Sequence, residues 1–132
     1  MKLEAAAASG ADDQVDLPVD VEKRGGTLIL KTSQMVRRLL ELRSSHDRGG
    51  LAYSFQKALA EGFLEMALRA AEDKGLETVG FTGGVAYNEM MTGIIRRGVE
   101  EKGLKFLRHK LVPCGDGGIS LGQAAVASFK AL

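Results

Sequence analysis

The chain has 132 residues, with 18 basic against 17 acidic side chains, 45% apolar residues and 5% aromatics without a Trp. This is enough for one domain with a modest core, and the near-neutral balance supplies no global field to recruit nucleic acid or an anionic membrane. Few aromatics argue against single-strand stacking, and no apolar run approaches the roughly 20 residues of a membrane helix.

Residues 1–24 are Ala-rich and then acidic, with Asp12, Asp13, Asp16 and Asp20 and little large apolar surface. They read as a flexible lead-in, in part helical, or a remnant of something longer. The apolar core of Met1 to Ala8 is too short for a signal peptide. Gly25-Gly26 opens the expected ordered region, 25–132, and Thr27 to Leu30 reads as a strand. Thr32 or Ser33 is placed to cap a helix carrying Met35, Val36, Leu39, Leu40 and Leu42 at helical spacing. After the polar loop 44–50, a long helix is expected from Leu51 to Asp73. Phe55, Leu59, Phe63, Met66 and Ala70 form its apolar stripe, and Gly75 its left-handed stop. Thr78 to Phe81 reads as a buried strand, residues 86–101 as a helix, and 105–107 and 109–112 as short strands. A last helix, 119–130, carries the small residues Ser120, Gly122, Ala124, Ala125 and Ala127. The order β-α-α-β-α-β-(β)-α predicts an α/β layered fold, a mixed sheet flanked by helices.

Two glycine-rich segments stand out: Phe81 to Asn88, with Gly83-Gly84, and Pro113 to Ser120, with Gly115-Asp116-Gly117-Gly118. Each leads into a predicted helix, where free N–H groups meet anions and glycine lets backbone approach a ligand. A strand followed by Gly83-Gly84 and a helix puts a ligand at the carboxyl end of the strand, with the Asn88 amide in reach of a base or ribose. The same pattern also serves a plain tight turn, and it is neither a P-loop nor a dinucleotide fingerprint. Asp116 on its glycine turn suits either a ligand of a hard metal or an Asx cap of the last helix.

Cys114 is the only cysteine, so no internal disulfide forms and a reduced, cytoplasmic compartment is expected. The thiol reads as a small apolar group, His46 as loop surface and His109 as a strand-edge residue. Arg96, Arg97, Lys102, Lys105, Arg108 and Lys110, mixed with Glu100 and Glu101, read as a solvated face.

Taken together, Thr78 to Asn88 and Pro113 to Ala124 resemble the C-terminal part of the HypF-type hydrogenase-maturation carbamoyltransferases. Asp116-Gly117-Gly118-Ile119-Ser120-Leu121-Gly122-Gln123-Ala124 is the most specific match, and Leu30 to Val36 is also similar. The resemblance covers about residues 25–130. It extends to one lobe of the actin-like ATPase (ribonuclease H-like) superfold, including the tRNA threonylcarbamoyladenosine-forming proteins. Ser54-Phe55-Gln56 and the Cys114-Gly115-Asp116 run resemble that tRNA branch more closely.

The resemblance implies an adenine nucleotide (ATP or AMP), with Gly83, Gly84 and Asn88 at the adenosine side and Gly117 and Gly118 at the phosphate end. It makes Asp116 one ligand of a divalent metal. It also implies carbamoyl transfer through a carbamoyl-adenylate, with a complementary lobe or a carbamoyl-acceptor protein as partner. The first lobe and its His-x-x-x-His metal motif are absent from this sequence. The chain is therefore expected to supply half of a site and to need other domains or chains for turnover. The alternative is a non-catalytic lobe acting as an oligomerisation or partner-binding module, as a homodimer or hetero-oligomer. No nucleic acid and no membrane are expected as partners.

Overall fold

In a computed structural model, which describes residues 2–130, the chain is arranged around one long helix. Before it come α1 (Lys2–Ala7), β1 (Val21–Arg24), β2 (Thr27–Leu30) and α2 (Thr32–Leu42). The long helix is α3 (Arg48–Lys74), followed by β3 (Thr78–Gly80), α4 (Glu89–Glu101), β4 (Lys105–Leu107) and α5 (Ile119–Lys130).

Helix α3 begins before the expected Leu51 because the Asp47 carboxylate accepts from the Gly50 N–H at 2.7 Å and caps it. Gly75 ends it at φ 62° and ψ 38°, the expected left-handed stop. Its buried residues are mostly small: Gly50, Ala52, Ser54, Gln56, Ala58, Ala60, Gly62 and Ala71. The predicted stripe of larger side chains is only partly buried, and Phe63 is 40% exposed. Neighbouring elements approach α3 over its small residues, which leaves the larger ones to fill the flanks. At Gly62 an added Cβ would lie 2.6 Å from the Leu30 side chain.

The main core forms where α4 crosses α3. Ala60, Met91, Ile95 and Val99 are buried together, with Val79, Phe81, Leu104 and Phe106 packed against them. At the crossing, an added Cβ on Gly98 would lie 2.1 Å from Leu64 Cδ2, so the Leu64 side chain packs directly onto the α4 backbone in the room that glycine leaves. Strands β3 and β4 run parallel, with Thr78 opposite Lys105 and Gly80 opposite Leu107.

The α/β class holds, but among the described residues the strands form two separate pairs instead of one mixed sheet. The second pair is the antiparallel hairpin of β1 and β2, with Gly25 and Gly26 at its turn, φ 55° and 84°. Positive φ at both central residues matches the right-handed twist of the strands. The glycine pair is thus a turn inside the ordered region and not its beginning. Strand β1 escaped the sequence reading because Glu22, Lys23 and Arg24 carry no apolar alternation, and Val21 alone is buried.

Residues 2–24, expected as a lead-in, carry α1, a 3-10 turn (Ala11–Asp13) and β1, and they pack on α3. An added Cβ on Gly10 would lie 1.9 Å from the Gly49 carbonyl oxygen. The Asp13 carboxylate meets His46 Nδ1 at 3.0 Å and accepts from the Asp47 N–H at 2.9 Å. The His46 hydrogen bond first, then the Asp47 amide, holds the Asp13 carboxyl below its ordinary value. His46 is accordingly a tether, where loop surface was expected.

Smaller differences follow from local competition. Lys31 occupies the cap position of α2 without a side-chain hydrogen bond, so neither Thr32 nor Ser33 caps it. The predicted helix 86–101 divides into a 3-10 turn (Gly84–Tyr87) and α4. Residues 109–112 form no strand. Leu111 is 98% exposed there, and the following Pro113 has no N–H to give a ladder. Met1, Ala131 and Leu132 lie outside the described residues. No described helix is long and apolar enough to cross a membrane.

Candidate functional site

The parallel pairing of β3 and β4 delivers both glycine segments to the same end of the strands. Beyond the last pair, the Phe81 N–H donates to the Leu107 carbonyl at 3.3 Å. The chain then turns at Gly83, whose φ of 99° and ψ of 175° lie in a region L-residues rarely enter. The turn Gly84–Tyr87 follows, and Asn88 caps α4 by accepting from the Met91 N–H at 3.0 Å. Thr92 Oγ1 braces this turn by donating to the Ala86 carbonyl at 3.1 Å.

The two segments are locked to each other. The Gly83 N–H donates to the Cys114 carbonyl at 2.7 Å, and Thr82 Oγ1 donates to the same oxygen at 3.2 Å. His109 Nε2 lies 2.9 Å from Thr82 Oγ1. Because the threonine hydrogen is committed to Cys114, Nε2 is the donor in that pair. A Cβ on Gly115 would lie 2.9 Å from the Tyr87 ring and 3.7 Å from Gly84 Cα, so the segments also touch. Local spacing in the sequence could not show this contact, and Thr82 and Tyr87 carried no signal of their own.

Gly84 and Asn88 line a cleft of about 720 Å³ together with Gln56, Leu59, Phe63 and Leu3. This falls within the range of small-molecule sites, largely apolar with a few polar groups. A Cβ on Gly84 meets nothing within 4 Å, so no packing among the described residues calls for glycine there. Val85 and Tyr87 on the same wall are 53% and 58% exposed. The Asn88 amide is partly engaged, since its Nδ2 donates to Gln56 Oε1.

The second turn, Asp116–Gly118, lies beyond Gly115 and does not line this cleft. Gly118 is constrained from within, because a Cβ there would come within 2.5 Å of the Pro113 carbonyl oxygen. Gly117 makes only ordinary contacts with Pro113. The Asp116 side chain is exposed and opens the 3-10 turn, whose cap position, Gly115, makes no side-chain hydrogen bond. Among the described residues no three His, Cys, Asp or Glu side chains come together to hold a metal ion. One carboxylate does not make a metal site, and the described residues do not by themselves fit one.

A smaller hollow of about 130 Å³ brings Arg108, His109 and Cys114 together behind Tyr87. It is too small for a nucleotide. His109 is therefore a brace between the turns, where a strand-edge residue was expected.

Residues 1–123 match the carbamoyltransferase Kae1-like domain, second subdomain. The chain belongs to this family. It is 32% identical over 113 residues to a probable carbamoyltransferase HypF of Methanocaldococcus jannaschii, covering 85% of this chain and 15% of that protein. It is 32% identical over 135 residues to a tRNA N6-adenosine threonylcarbamoyltransferase of Prochlorococcus marinus, covering 94% of this chain and 38% of that protein. The crystal structure of HypF from T. kodakarensis superposes with a TM-score of 0.79 at 35% identity, over 99% of this chain and 16% of that one. A full-length HypF in a phosphate- and nucleotide-bound form shares the fold with a TM-score of 0.82 at 21% identity, over 96% of this chain and 16% of that one. The α/β architecture is thus consistent with one lobe of an actin-like ATPase. The chain spans about a sixth of the HypF proteins it matches.

Proposed function

We propose that this chain is the adenine-nucleotide half of a HypF-related carbamoyltransferase acting in hydrogenase maturation. The observation that carries the proposal is the convergence of both glycine segments at one end of β3 and β4, joined through the Cys114 carbonyl. In parallel α/β folds this is where ligands bind. Gly83 and Gly84 with Asn88 hold the adenosine side. The open space over Gly84 lets a ligand approach the backbone. Gly117 and Gly118 present backbone toward the phosphate end, and the nucleotide-bound HypF of the same fold supports the choice of ligand.

The carbamoyl group, carried on an adenylate, passes to an acceptor thiol of a partner protein: the carbon–sulfur bond forms as the carbamoyl–phosphate bond breaks, AMP leaves, and the thiol proton is released. Were a divalent metal bound, Asp116 would supply a single oxygen ligand and the complementary lobe would have to supply the others. The protein works in the cytoplasm, in keeping with its single reduced cysteine. Calorimetric titration with ATP or AMP, in Mg²⁺ or Fe²⁺, tests the reading. Saturable binding abolished by Gly84→Arg is expected. No binding at millimolar nucleotide, or equal binding by the variant, overturns it.

A second reading is favoured by α5. Its residues 119–129 are all exposed, including Ile119, Leu121, Val126 and Phe129 at 56%, 55%, 56% and 80%. Apolar surface of this kind serves an interface. In that reading the chain is a non-catalytic oligomerising or partner-binding module. Light scattering after sizing separates the two, since a clean monomer at micromolar concentration counts against the second.

A further inference from the structure

Gln56 lies in the first half of α3 with 3% of its surface exposed, and both hydrogens of its amide are used. Nε2 donates to the Leu3 carbonyl at 3.1 Å and to the Ala52 carbonyl at 3.3 Å, while Oε1 accepts from Asn88 Nδ2. Two carbonyls fix its orientation, because a flipped amide would set oxygen against oxygen twice. Asn88 is fixed likewise, since Oδ1 accepts from the Met91 N–H and leaves Nδ2 facing Gln56. One polar chain thus runs from α1, through α3, to the cap of α4. Its two ends, Leu3 and Asn88, line the same cleft.

The geometry assigns Gln56 as a positioning residue that couples the seating of residues 2–7 on α3 to the Gly84–Asn88 wall. A nucleotide on that wall and α1 in its seat then reinforce each other, which regulates access to the cleft. The identity of that ligand rests on the function proposed above. A buried amide cannot lose one partner without strain on the others, so a change at Asn88 reaches α1 through Gln56.

Hydrogen exchange of residues 2–8 in the full chain tests the coupling. Asn88→Ser keeps a capping oxygen for α4 but deletes the donor to Gln56. It should speed exchange in residues 2–8 by about fivefold, toward the low end of coupling between contacting groups. In a Gln56→Leu background the same change should add nothing. Should Gln56→Leu fail to fold, Gln56→Glu takes its place in the cycle, because it keeps the acceptor for Asn88 and loses the donors to Leu3 and Ala52. Unchanged exchange, or effects that simply add, overturn the proposal, because independent structural roles are additive.

Saturating AMP should slow exchange in residues 2–8 of the wild type by a similar factor and leave it unaltered in Gln56→Leu. Binding of AMP without that protection overturns the coupling. If AMP does not bind at all, the proposed function fails, and the mutant cycle alone decides the role of Gln56.

Discussion

Neighbouring glycines on the first turn should respond to alanine in opposite ways. Gly83 sits at φ 99° and ψ 175°, and an added Cβ there meets nothing within 4 Å, so the cost of Gly83→Ala is backbone strain alone. That conformation costs an L-residue about 1–3 kcal/mol. Gly84 has a negative φ and equally open space, so Gly84→Ala should be neutral or stabilise by about 0.4–1 kcal/mol through the unfolded chain. For a chain of 132 residues, an unfolding entropy of about 2.1 cal/mol/K per residue makes each kcal/mol worth about 4 °C in Tm. Gly83→Ala should therefore lower Tm by about 4–11 °C, while Gly84→Ala leaves it unchanged or raises it by up to about 4 °C. Thermal unfolding followed by circular dichroism measures both. Relaxation of the strained backbone in Gly83→Ala would also pull the N–H at that position from the Cys114 carbonyl, so AMP binding should weaken along with Tm. A Gly83→Ala protein that melts with the wild type would refute the strain argument. So would a Gly84→Ala protein that loses as much stability as Gly83→Ala.

Val99 is fully buried between α4 and α3, so Val99→Ala should cost about 2–3 kcal/mol from lost transfer energy and the cavity left behind, read by urea unfolding. The Asp13 tether gives an acid dependence with a definite sign. Its carboxyl titrates below the ordinary 3.8 when folded. Its contribution is therefore present above that value and is lost as pH falls through the depressed folded pKa. Protection of residues 2–15 from proteolysis by pepsin should decline in that window for the wild type. In Asp13→Asn it should be low already at about pH 5, above the ordinary carboxylate range, and a variant as well protected as the wild type there would contradict the role of the tether.

Local signals were legible where they were covalently adjacent. Gly75 after a periodic run, the apolar run of β2, and the glycine turns before α4 and α5 each reflect φ freedom or side-chain spacing within a few residues. Thr78 to Gly80 is a strand as expected but not a buried one, since Thr78 and Gly80 are exposed and Val79 is half-buried. The family and its α/β lobe were legible through Asp116 to Ala124 for the same reason, because a contiguous motif needs no fold to be recognised. The N-terminal segment was not. It is tied down by single contacts to distant partners, Gly10 on Gly49, Asp13 on His46 and Leu3 on Gln56. None of these has a sequence period.

The tertiary structure alone decided which glycines meet. Gly83 and Gly84 reach the Cys114 loop because β3 and β4 pair in parallel, and parallel pairing is a long-range choice made by packing against α3 and α4. It likewise separated Gly84, open to the cleft, from Gly118, confined by Pro113, although both read alike in the sequence. Composition and motif determined the kind of lobe and the residue types at its turns. The approach of one backbone to another, which depends on burial that no local window records, determined what those residues do.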